Sequence, residues 1–373
     1  MPENKRINLS KTDTPMPVAD PKDRINTFDE VEIGYTDALA KQEALRCLDC
    51  KHKPCVSGCP VGIDIPSFIK CIVNDDIDKA NDILSKSSAL PAVCGRVCPQ
   101  EKQCQAKCVR GKNGDPVAIG KLERYAADNC TDKKIQIPKN NGCKIAVIGS
   151  GPSGITCARE LAIMGYKVTI YEALHSPGGV MTYGIPEFRL PRDILDKEIH
   201  NLSELGVSIQ TNVVIGKTFS IDELMSEMEY KAVYISTGAG TPKFMEIPGE
   251  TLPGVYSANE FLTRINLMHA YSDKYDTPIM QPKRTVVIGG GNVAMDAARC
   301  AVRLNSDVTV VYRRSEEDMP ARKEEILHAK EEGVKFQFLS QPIRIHDKNG
   351  KISCVECNKM KYTTSTASSV KKL

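Results

Sequence analysis

The chain concentrates its cysteines in one short region. Nine of its fifteen cysteines lie between positions 47 and 108, and the other six are spread over the rest of the sequence. The nine are Cys47, Cys50, Cys55, Cys59, Cys71, Cys94, Cys98, Cys104 and Cys108. The first residues, Met1 to Arg6, contain no apolar segment that would direct the chain to an oxidising compartment. We therefore expect a cytoplasmic protein whose clustered thiols bind a metal or a cluster instead of forming disulfides.

The spacing of these cysteines narrows the kind of site. The two runs are Cys47-x2-Cys50-x4-Cys55-x3-Cys59-Pro60 and Cys94-x3-Cys98-Pro99-x4-Cys104-x3-Cys108. Short loops closed by a proline resemble the bacterial run that wraps an iron-sulfur cube, so we predict two 4Fe-4S clusters. Two tetrahedral zinc sites are the alternative. Because the last cysteine of a run can ligate the other cluster, the runs need not match the sites one to one.

Length and charge limit the remaining possibilities. A chain of 373 residues suggests two or three domains, and its 41% hydrophobic and 26% charged content is ordinary for a globular protein. The net charge is +3 and neither sign forms a long block. The sequence therefore gives no indication of a nucleic-acid or membrane partner, and no apolar run approaches the ~18 residues of a transmembrane helix.

A glycine-rich turn follows the cysteine region. The sequence predicts a strand at 143–149, a helix from Ser153 to Met164, and a second strand from Lys167 to Tyr171, with Glu172 at its end. The turn between them contains Gly149, Gly151, Pro152, Ser153 and Gly154. Glycines at this spacing let the backbone approach a pyrophosphate, and an acid after the second strand accepts hydrogen bonds from ribose hydroxyls. This pattern predicts a site for an unphosphorylated ribose, as in FAD or NAD.

The same order of elements recurs later in the chain. Its turn contains Gly289, Gly290, Gly291, Asn292, Val293 and Ala294. The second strand of this copy is followed by Arg313 and Arg314 where an acid would otherwise stand. Because guanidinium groups pair with a 2′-phosphate, we predict a preference for NADPH over NADH. The alternative is that the two arginines are only a solvated strand end.

Together these patterns predict an α/β protein, in which a mostly helical two-cluster iron-sulfur domain precedes two Rossmann-like domains for FAD and NADPH. Thr36 is predicted to cap a first helix, and residues 66–87 to form a second one. The expected divisions are an extended arm at 1–35, the iron-sulfur domain at 36–135, the first part of the FAD domain at 142–282, an incomplete NADPH domain at 283–360 and a disordered tail at 361–373.

Four stretches are more specific than the fingerprints. They are RCLDC at 46–50, CGRVCP at 94–99, GGVMTYGIPEFRLP at 178–191 and YRRS at 312–315. Through them the chain, from about Tyr35 to Met360, resembles the small subunit family of NADPH-dependent glutamate synthase. It is also similar to the N-terminal part of dihydropyrimidine dehydrogenase and to the large subunit of NADH-dependent ferredoxin:NADP oxidoreductases. The resemblance implies that NADPH reduces FAD, and that electrons pass through the clusters to a glutamate synthase large subunit or a ferredoxin.

The resemblance also implies which residues bind each group. Cys47, Cys50, Cys55 and Cys108 would hold one 4Fe-4S cluster, and Cys59, Cys98, Cys104 and Glu123 the other. Cys94 would then be spare. Gly179 and Val180 would lie near the flavin ring, and Thr237 and Gly238 would touch FAD. No catalytic side chain is predicted, because hydride transfer between cofactors needs no general base.

Two further interpretations remain open at this point. Members of this family return from the NADPH domain to complete the FAD domain, and this chain ends while the NADPH domain should still be growing, so we expect a truncated module. The chain could be a stand-alone NADPH-dependent reductase of ferredoxin or small acceptors, including thiols through Cys354 and Cys357. It could also be a non-catalytic cluster-binding protein without FAD.

Overall fold

A computed structural model describes residues 7–131, 138–362 and 370–372, and these residues divide into two compact units. Unit 1 comprises the described residues within Met1–Ala19, Glu30–Met181 and Phe188–Gly238. Unit 2 comprises those within Asp20–Asp29, Thr182–Glu187 and Ala239–Leu373. Among the described residues, no helix is both long and apolar enough to cross a membrane.

In its described residues, 7–35, the N-terminal arm contains one short helix, α1 (Pro21–Arg24). The helix begins at a proline, and the Asp20 side chain accepts a hydrogen bond from the Lys22 amide at 2.9 Å. An aspartate cap and a proline in the first turn are the usual start of a helix. The described part of the arm otherwise has an isolated bridge between Val18 and Glu32. The arm is thus shared: residues 20–29 belong to unit 2, and the residues on either side of them to unit 1.

The cysteine-rich part of unit 1 is helical. Its helices are α2 (Asp37–Ala44), α3 (Pro54–Gly58), α4 (Ile65–Val73), α5 (Ile77–Ser85), α6 (Pro91–Val97) and α7 (Ile119–Asn129). Thr36 caps α2 by accepting from the Leu39 amide. The helices pack around one apolar core that includes Ala40, Phe68, Ile72, Leu84 and Leu122. Burial of such side chains, at about 25 cal/mol per Å² of apolar area, holds together a region otherwise made of loops.

The prediction of one continuous helix over residues 66–87 is wrong. The chain forms α4 and α5 instead, because Asp75 adopts a left-handed backbone conformation with φ of 60°. Asp76 then caps α5 through a hydrogen bond from the Lys79 amide. Aspartate tolerates both roles better than most residues.

The second part of unit 1 is a parallel sheet in the order β3-β2-β1-β4. Its strands are β1 (Lys144–Ile148), β2 (Lys167–Tyr171), β3 (Ser208–Gln210) and β4 (Ala232–Ile235). The helices that follow β1 are α8 (Pro152–Ile163), α9 (Val180–Tyr183), α10 (Arg192–Glu204) and α11 (Ile221–Ser226). This is the predicted βαβ arrangement, in which the carboxyl ends of β1 and β4 lie side by side.

Unit 2 contains a parallel sheet in the order β5-β6-β7, with helices against it. Its elements are α12 (Ala258–Asn266), β5 (Arg284–Ile288), α13 (Asn292–Arg303), β6 (Asp307–Val311), α14 (Lys323–Glu331) and β7 (Lys335–Gln337). Buried residues of α13 and α14 pack on Val308 and Val310 of β6. The predicted α/β fold class is thereby confirmed for the described residues.

An antiparallel hairpin completes unit 2. It is formed by β8 (Ser340–Lys348) and β9 (Lys351–Tyr362), and the two turn residues, Asn349 and Gly350, have φ of 55° and 72°. Asn-Gly is the favoured pair for a two-residue hairpin turn. The prediction of a disordered tail at 361–373 is wrong for its described residues. Residues 361 and 362 continue β9, and β10 (Val370–Lys372) pairs with it. Residues 363–369 and 373, also assigned to that tail, lie outside the described residues.

A buried charge network lies within unit 2. The Glu332 carboxylate accepts hydrogen bonds from Arg24, Arg299 and Arg303, at 2.8, 2.8 and 2.7 Å. Arg299 also pairs with Glu325 at 2.5 Å. These side chains are nearly inaccessible to solvent, so each charge depends on its partners for stabilisation.

Candidate cofactor sites

Four cysteines of unit 1 line one cavity. They are Cys47, Cys50, Cys55 and Cys108. The first two follow α2, the third lies in α3, and the fourth lies between two short 3-10 helices, Gln105–Lys107 and Val109–Lys112. The rest of the wall is apolar apart from one arginine, and consists of Leu48, Pro54, Pro66, Val109, Arg110 and Val117. The structure therefore brings together the four cysteines that the resemblance assigns to one cluster.

A buried ion pair joins the chain segments that supply these cysteines. Arg46 donates to Glu43 at 2.7 Å, and neither side chain is exposed. The same guanidinium donates to the carbonyl oxygens of Asp115 and Pro116 at 2.7 and 3.0 Å. The contacts tie the segment before Cys47 to the segment after Cys108. Sequence reasoning missed this role of Glu43, although Arg46 belongs to the RCLDC motif.

Two thiols of this first group, those of Cys47 and Cys55, resist ionisation in the absence of a cation. Burial, with the neighbouring Cys55 and Cys108 sulfurs, raises the pKa of Cys47 to about 11. Burial also raises the pKa of Cys55. Such a set suits a group that supplies positive charge to thiolates, as iron does.

The number and type of donors around the cavity suit a 4Fe-4S cluster. The four cysteine side chains are thiols, and four cysteine thiolates are the usual ligands of such a cluster. In a 4Fe-4S cube each thiolate binds a different iron, whereas a zinc ion draws all four ligands to one centre. Within residues 7–131 and 138–362, no group of three or more His, Cys, Asp or Glu side chains is arranged to hold one metal ion.

A second group surrounds Glu123 of α7. Glu123 is 5% exposed, and its Oε1 has no hydrogen-bond partner among the described residues. Burial and the nearby Cys94 raise the pKa of its carboxyl well above the ordinary value. Burial, Glu123 and Cys59 raise the pKa of Cys104 to about 12. A buried oxygen without a partner, next to cysteines, has the chemistry expected of a ligand to iron.

Cys94 also belongs to this second group. It makes a side-chain hydrogen bond with Cys98, and its sulfur accepts from the Ser88 hydroxyl at 3.7 Å. The structure thus places Cys59, Cys98, Cys104 and Glu123 with one additional thiol. Five candidate ligands lie together where four are needed, and the assignment of Cys94 as the spare one stays a prediction.

The first glycine fingerprint has the geometry of a phosphate-binding turn. Gly149 has φ of +98°, and a Cβ added there would lie 2.5 Å from the Ser236 carbonyl oxygen. A Cβ added at Gly154 would lie 1.9 Å from the Gly149 carbonyl oxygen, whereas one at Gly151 would meet nothing within 4 Å. The first and last glycines are therefore required by packing. The middle one leaves open space at the start of α8, where a pyrophosphate would bind; Pro152 and Ser153, the first residues of α8, are exposed at the same place.

Glu172 lies beside this turn. Its carboxylate accepts from the Ser150 amide and hydroxyl at 2.9 and 2.5 Å, and from the Leu174 amide at 2.8 Å. It is 6% exposed, so the carboxylate is oriented by the turn itself. A carboxylate fixed in this position can accept hydrogen bonds from ribose hydroxyls, and this role of Glu172 stays a prediction.

The remaining predicted FAD contacts lie next to the same turn. A Cβ added at Gly179 would lie 2.7 Å from the Gly151 Cα, and the Gly178 amide donates to the Ser150 hydroxyl at 2.9 Å. Val180 follows and is exposed. Thr237 and Gly238 follow β4 after Ser236, and Gly238 has φ of +71° with open space around it. The loops that the resemblance assigns to FAD thus meet at the carboxyl end of the first sheet.

The second fingerprint is packed differently. Gly289 has φ of +139°, and a Cβ added at Gly290 would lie 2.7 Å from the Tyr312 ring. The Gly290 carbonyl accepts from the Ala321 amide at 3.0 Å. Around Gly291 the nearest atom is 4.0 Å from an added Cβ, Val293 is exposed, and Ala294 is buried in α13. Asn292 accepts from the Arg322 amide at 2.9 Å.

Arg313 and Arg314 follow β6 at the same end of the sheet. Arg313 is exposed and Arg314 is half-buried. The backbone at Arg314 is fixed, because its carbonyl accepts from the Leu339 amide at 3.1 Å. Both residues therefore lie at the carboxyl end of β6, next to β5 and its glycine turn, where a 2′-phosphate is expected.

Cys354 and Cys357 do not form a dithiol site. In β9 they pair with different partners of β8, Cys354 with His346 and Cys357 with Pro342. Residues three apart in a strand point to opposite faces. This placement gives no support to thiol reduction through this pair.

Comparison with known families agrees with the two-part organisation. Residues 24–135 match the family described as dihydropyrimidine dehydrogenase domain II with a 4Fe-4S cluster. Residues 143–370, more than half of the chain, match the pyridine nucleotide-disulphide oxidoreductase family. Both cofactor classes predicted from the sequence, iron-sulfur and nucleotide, are thus supported.

Similar proteins include small chains of glutamate synthase and a subunit of another oxidoreductase. The chain is 35% identical to the glutamate synthase [NADPH] small chain of Escherichia coli K12, covering 94% of this chain and 75% of that protein. It is 35% identical to the corresponding protein of Halomonas elongata, covering 86% and 69%. It is 37% identical to the NADPH-Fe(3+) oxidoreductase subunit beta of Geobacter sulfurreducens, covering 91% of this chain and half of that protein.

The fold has a solved counterpart. The structure of Mycobacterium tuberculosis FprA in complex with NADPH superimposes with a TM-score of 0.51, at 22% identity, over 62% of this chain and 66% of that one. Identity this low supports a shared fold alone.

Proposed function

Because this chain belongs to the family of the NADPH-dependent glutamate synthase small chain, whose members are iron-sulfur flavoprotein oxidoreductases, we propose that it passes electrons from NADPH to a separate acceptor protein. FAD, when bound, would take a hydride from the nicotinamide and release its electrons one at a time to 4Fe-4S clusters. The protein's own part is to bind these groups close together and to set their environment.

The observation that carries this proposal is that candidate cluster sites and a candidate nucleotide site lie together in unit 1. The thiol groups around Cys47 and around Glu123 lie in the same compact unit as the Gly149 turn. Helix α10, which belongs to the nucleotide-binding part, packs against α6, which carries Cys94. Short separations between redox groups are what electron transfer requires, and the proposed flavin and cluster sites lie in one compact unit.

Each nucleotide site has residues suited to one ribose. Beside the first turn, the fixed carboxylate of Glu172 would accept from the hydroxyls of an unphosphorylated ribose. Beside the second, Arg313 and Arg314 would bind a 2′-phosphate, which a carboxylate would repel. We therefore propose FAD at the first site and NADPH at the second.

The acceptor is proposed by class. A glutamate synthase large subunit or a ferredoxin is the natural acceptor, since clusters exchange single electrons with other iron-sulfur proteins. The names of the relatives support a partner: one is the small chain of glutamate synthase and another the beta subunit of an NADPH-Fe(3+) oxidoreductase.

An anaerobic absorbance experiment tests the proposal. The purified chain would be reconstituted with iron, sulfide and FAD, the bound iron and flavin quantified, and NADPH or NADH then added. We expect flavin and cluster absorbance that NADPH bleaches in preference to NADH. Bound flavin that NADPH leaves oxidised would refute the electron-transfer proposal. Iron without flavin would instead favour a non-catalytic cluster-binding protein.

A further inference from the structure

A tyrosine from the hairpin contacts the loop that follows β6. The Tyr362 hydroxyl accepts from the Ser315 amide at 3.1 Å and lies 3.1 Å from the Ser315 hydroxyl. It also donates to the Asp318 carboxylate, which accepts from the Ser315 hydroxyl at 3.1 Å. These contacts close the loop directly after Arg313 and Arg314, although Tyr362 lies 47 positions from Ser315 along the chain.

The loop after β6 carries negative charges that disfavour the binding of a 2′-phosphate. Residues 316–318 are Glu, Glu and Asp, directly after the two arginines. Asp318 lies close enough to Arg314 for their charges to interact, and the hydrogen bond from Tyr362 keeps the pKa of Asp318 below its ordinary value. Asp318 is therefore a carboxylate at neutral pH. If this carboxylate were free to pair with Arg314, it would compete with a 2′-phosphate for the same guanidinium.

Other contacts fix the backbone of the loop and the side chain of Glu316, to which Lys330 donates at 2.6 Å. The Tyr312 hydroxyl donates to the Asp318 carbonyl at 3.0 Å, and the Ala321 amide donates to the Gly290 carbonyl at 3.0 Å. Both hold the backbone. The described contacts that hold the Asp318 side chain come from Tyr362 and Ser315.

We propose that Tyr362 is a positioning residue for cofactor selection: its hydroxyl holds Ser315 and the Asp318 carboxylate in place, so that Arg314 stays available to a 2′-phosphate. This inference rests on the proposed use of NADPH. It assigns a specificity role to a residue of the hairpin, outside both glycine fingerprints and both arginines. Tyr362 is partly exposed, which allows its hydroxyl to be removed without opening a cavity in the core.

The test compares two probes that differ only by the 2′-phosphate. The affinities of the full chain for 2′,5′-ADP and for 5′-AMP would be measured by calorimetry, and their ratio taken as the preference. We expect Tyr362→Phe to reduce the ratio about threefold to tenfold, the range of one or two hydrogen bonds, mainly through weaker binding of 2′,5′-ADP. Tyr275→Phe, which changes another exposed tyrosine of unit 2, should leave the ratio unchanged.

A second variant separates the electrostatic role from a structural one. If Tyr362 acts by restraining the carboxylate, adding Asp318→Asn to Tyr362→Phe should restore most of the preference. A Tyr362→Phe protein that loses affinity for both probes equally would overturn the inference, since damage to the fold does not distinguish the 2′-phosphate. An unchanged ratio in Tyr362→Phe would overturn it as well. A parent chain without any preference would overturn both this inference and the proposed use of NADPH.

Discussion

Arg24 and Glu332 form a buried ion pair at 2.8 Å although they lie 308 positions apart. Their side chains are 1% and 0% exposed. Arg24 also donates to the His328 carbonyl and to Glu331, so one arginine of the arm covers the end of α14. The arm segment 20–29 is thus part of the charge balance inside unit 2.

Removal of this arginine should destabilise unit 2. We expect Arg24→Ala to lower the free energy of unfolding by about 2 kcal/mol, less than the 3–5 kcal/mol usual for a broken buried pair, because Glu332 keeps Arg299 and Arg303. Thermal unfolding would measure the change. Lys22→Ala, an exposed position of the same helix, is the control, and equal melting temperatures for the two variants would contradict the prediction.

Stability should fall at acid pH through Glu332. Burial alone would raise its pKa, but the charge of Arg299 and the hydrogen bonds of Arg299 and Arg303 outweigh burial and lower the pKa to about 2 from an ordinary 4.5. Since the unfolded state binds this proton first, the carboxylate stabilises the fold above about pH 4.5, and the contribution is lost as the pH falls toward about 2. We expect a loss on the order of 3 kcal/mol across this window.

Unfolding measured against pH tests this. Glu332→Gln should be less stable at neutral pH and should lack most of the acid-dependent loss. Glu331→Gln, at the half-exposed neighbouring position that also pairs with Arg24, should lose less stability at neutral pH than Glu332→Gln. Identical profiles for the parent and Glu332→Gln would show that other groups cause the acid sensitivity.

The first thiol group should be required for one cluster. We expect Cys108→Ser to reduce the iron bound per chain by about half, because a cube that loses one of four thiolates is bound much less tightly. Iron analysis and electron paramagnetic resonance of the reduced protein would show it. Cys71→Ser, a buried cysteine of the core near this group, should keep the full iron content. Equal iron in the two variants would argue against ligation by Cys108.

Either Glu123 or Cys94 could complete the second cluster, and one pair of variants distinguishes the two. If Glu123 completes the second cluster, Glu123→Ala should lose that cluster's resonance, whereas Cys94→Ala should retain it. The opposite result would assign the ligand to Cys94 and leave the Glu123 carboxyl as a buried neighbour. The unpartnered Oε1 of Glu123 favours the first outcome.

The arginines after β6 should determine which nucleotide binds. We expect Arg313→Ala to weaken NADPH binding about tenfold while NADH binding changes little, because only the former carries the 2′-phosphate. Arg284→Ala, an exposed arginine at the opposite end of the sheet, is the matched control. Equal weakening of both nucleotides would indicate a general role in folding or in pyrophosphate binding.

Sequence patterns predicted the features that depend on residues close together in the chain. The turns at Gly149 and Gly289 were identifiable because both backbones have a positive φ that favours glycine, and the fold class that they indicate is confirmed. The four cysteines around the cavity were assigned by resemblance to a known ligand pattern. The break between α4 and α5 was missed because Asp75 interrupts a helix whose apolar spacing continues across it.

Long-range polar contacts left no such pattern. Glu43, Arg24 and Tyr362 act on residues tens to hundreds of positions away, through hydrogen bonds that have no periodicity in the sequence. Long-range contacts of this kind depend on tertiary packing, which places the partner, and so they emerged only from the three-dimensional arrangement.

The position of the arm also affects the order in which parts of the protein fold during synthesis. During synthesis at ~5–20 residues per second, Arg24 would leave the ribosome roughly 15 to 60 seconds before Glu332, which follows 308 positions later. Residues on either side of segment 20–29 belong to unit 1 and can pack during that interval, while the segment itself waits for α13 and α14. Helix α1 is therefore translated long before α14, the helix whose end it contacts in the final structure.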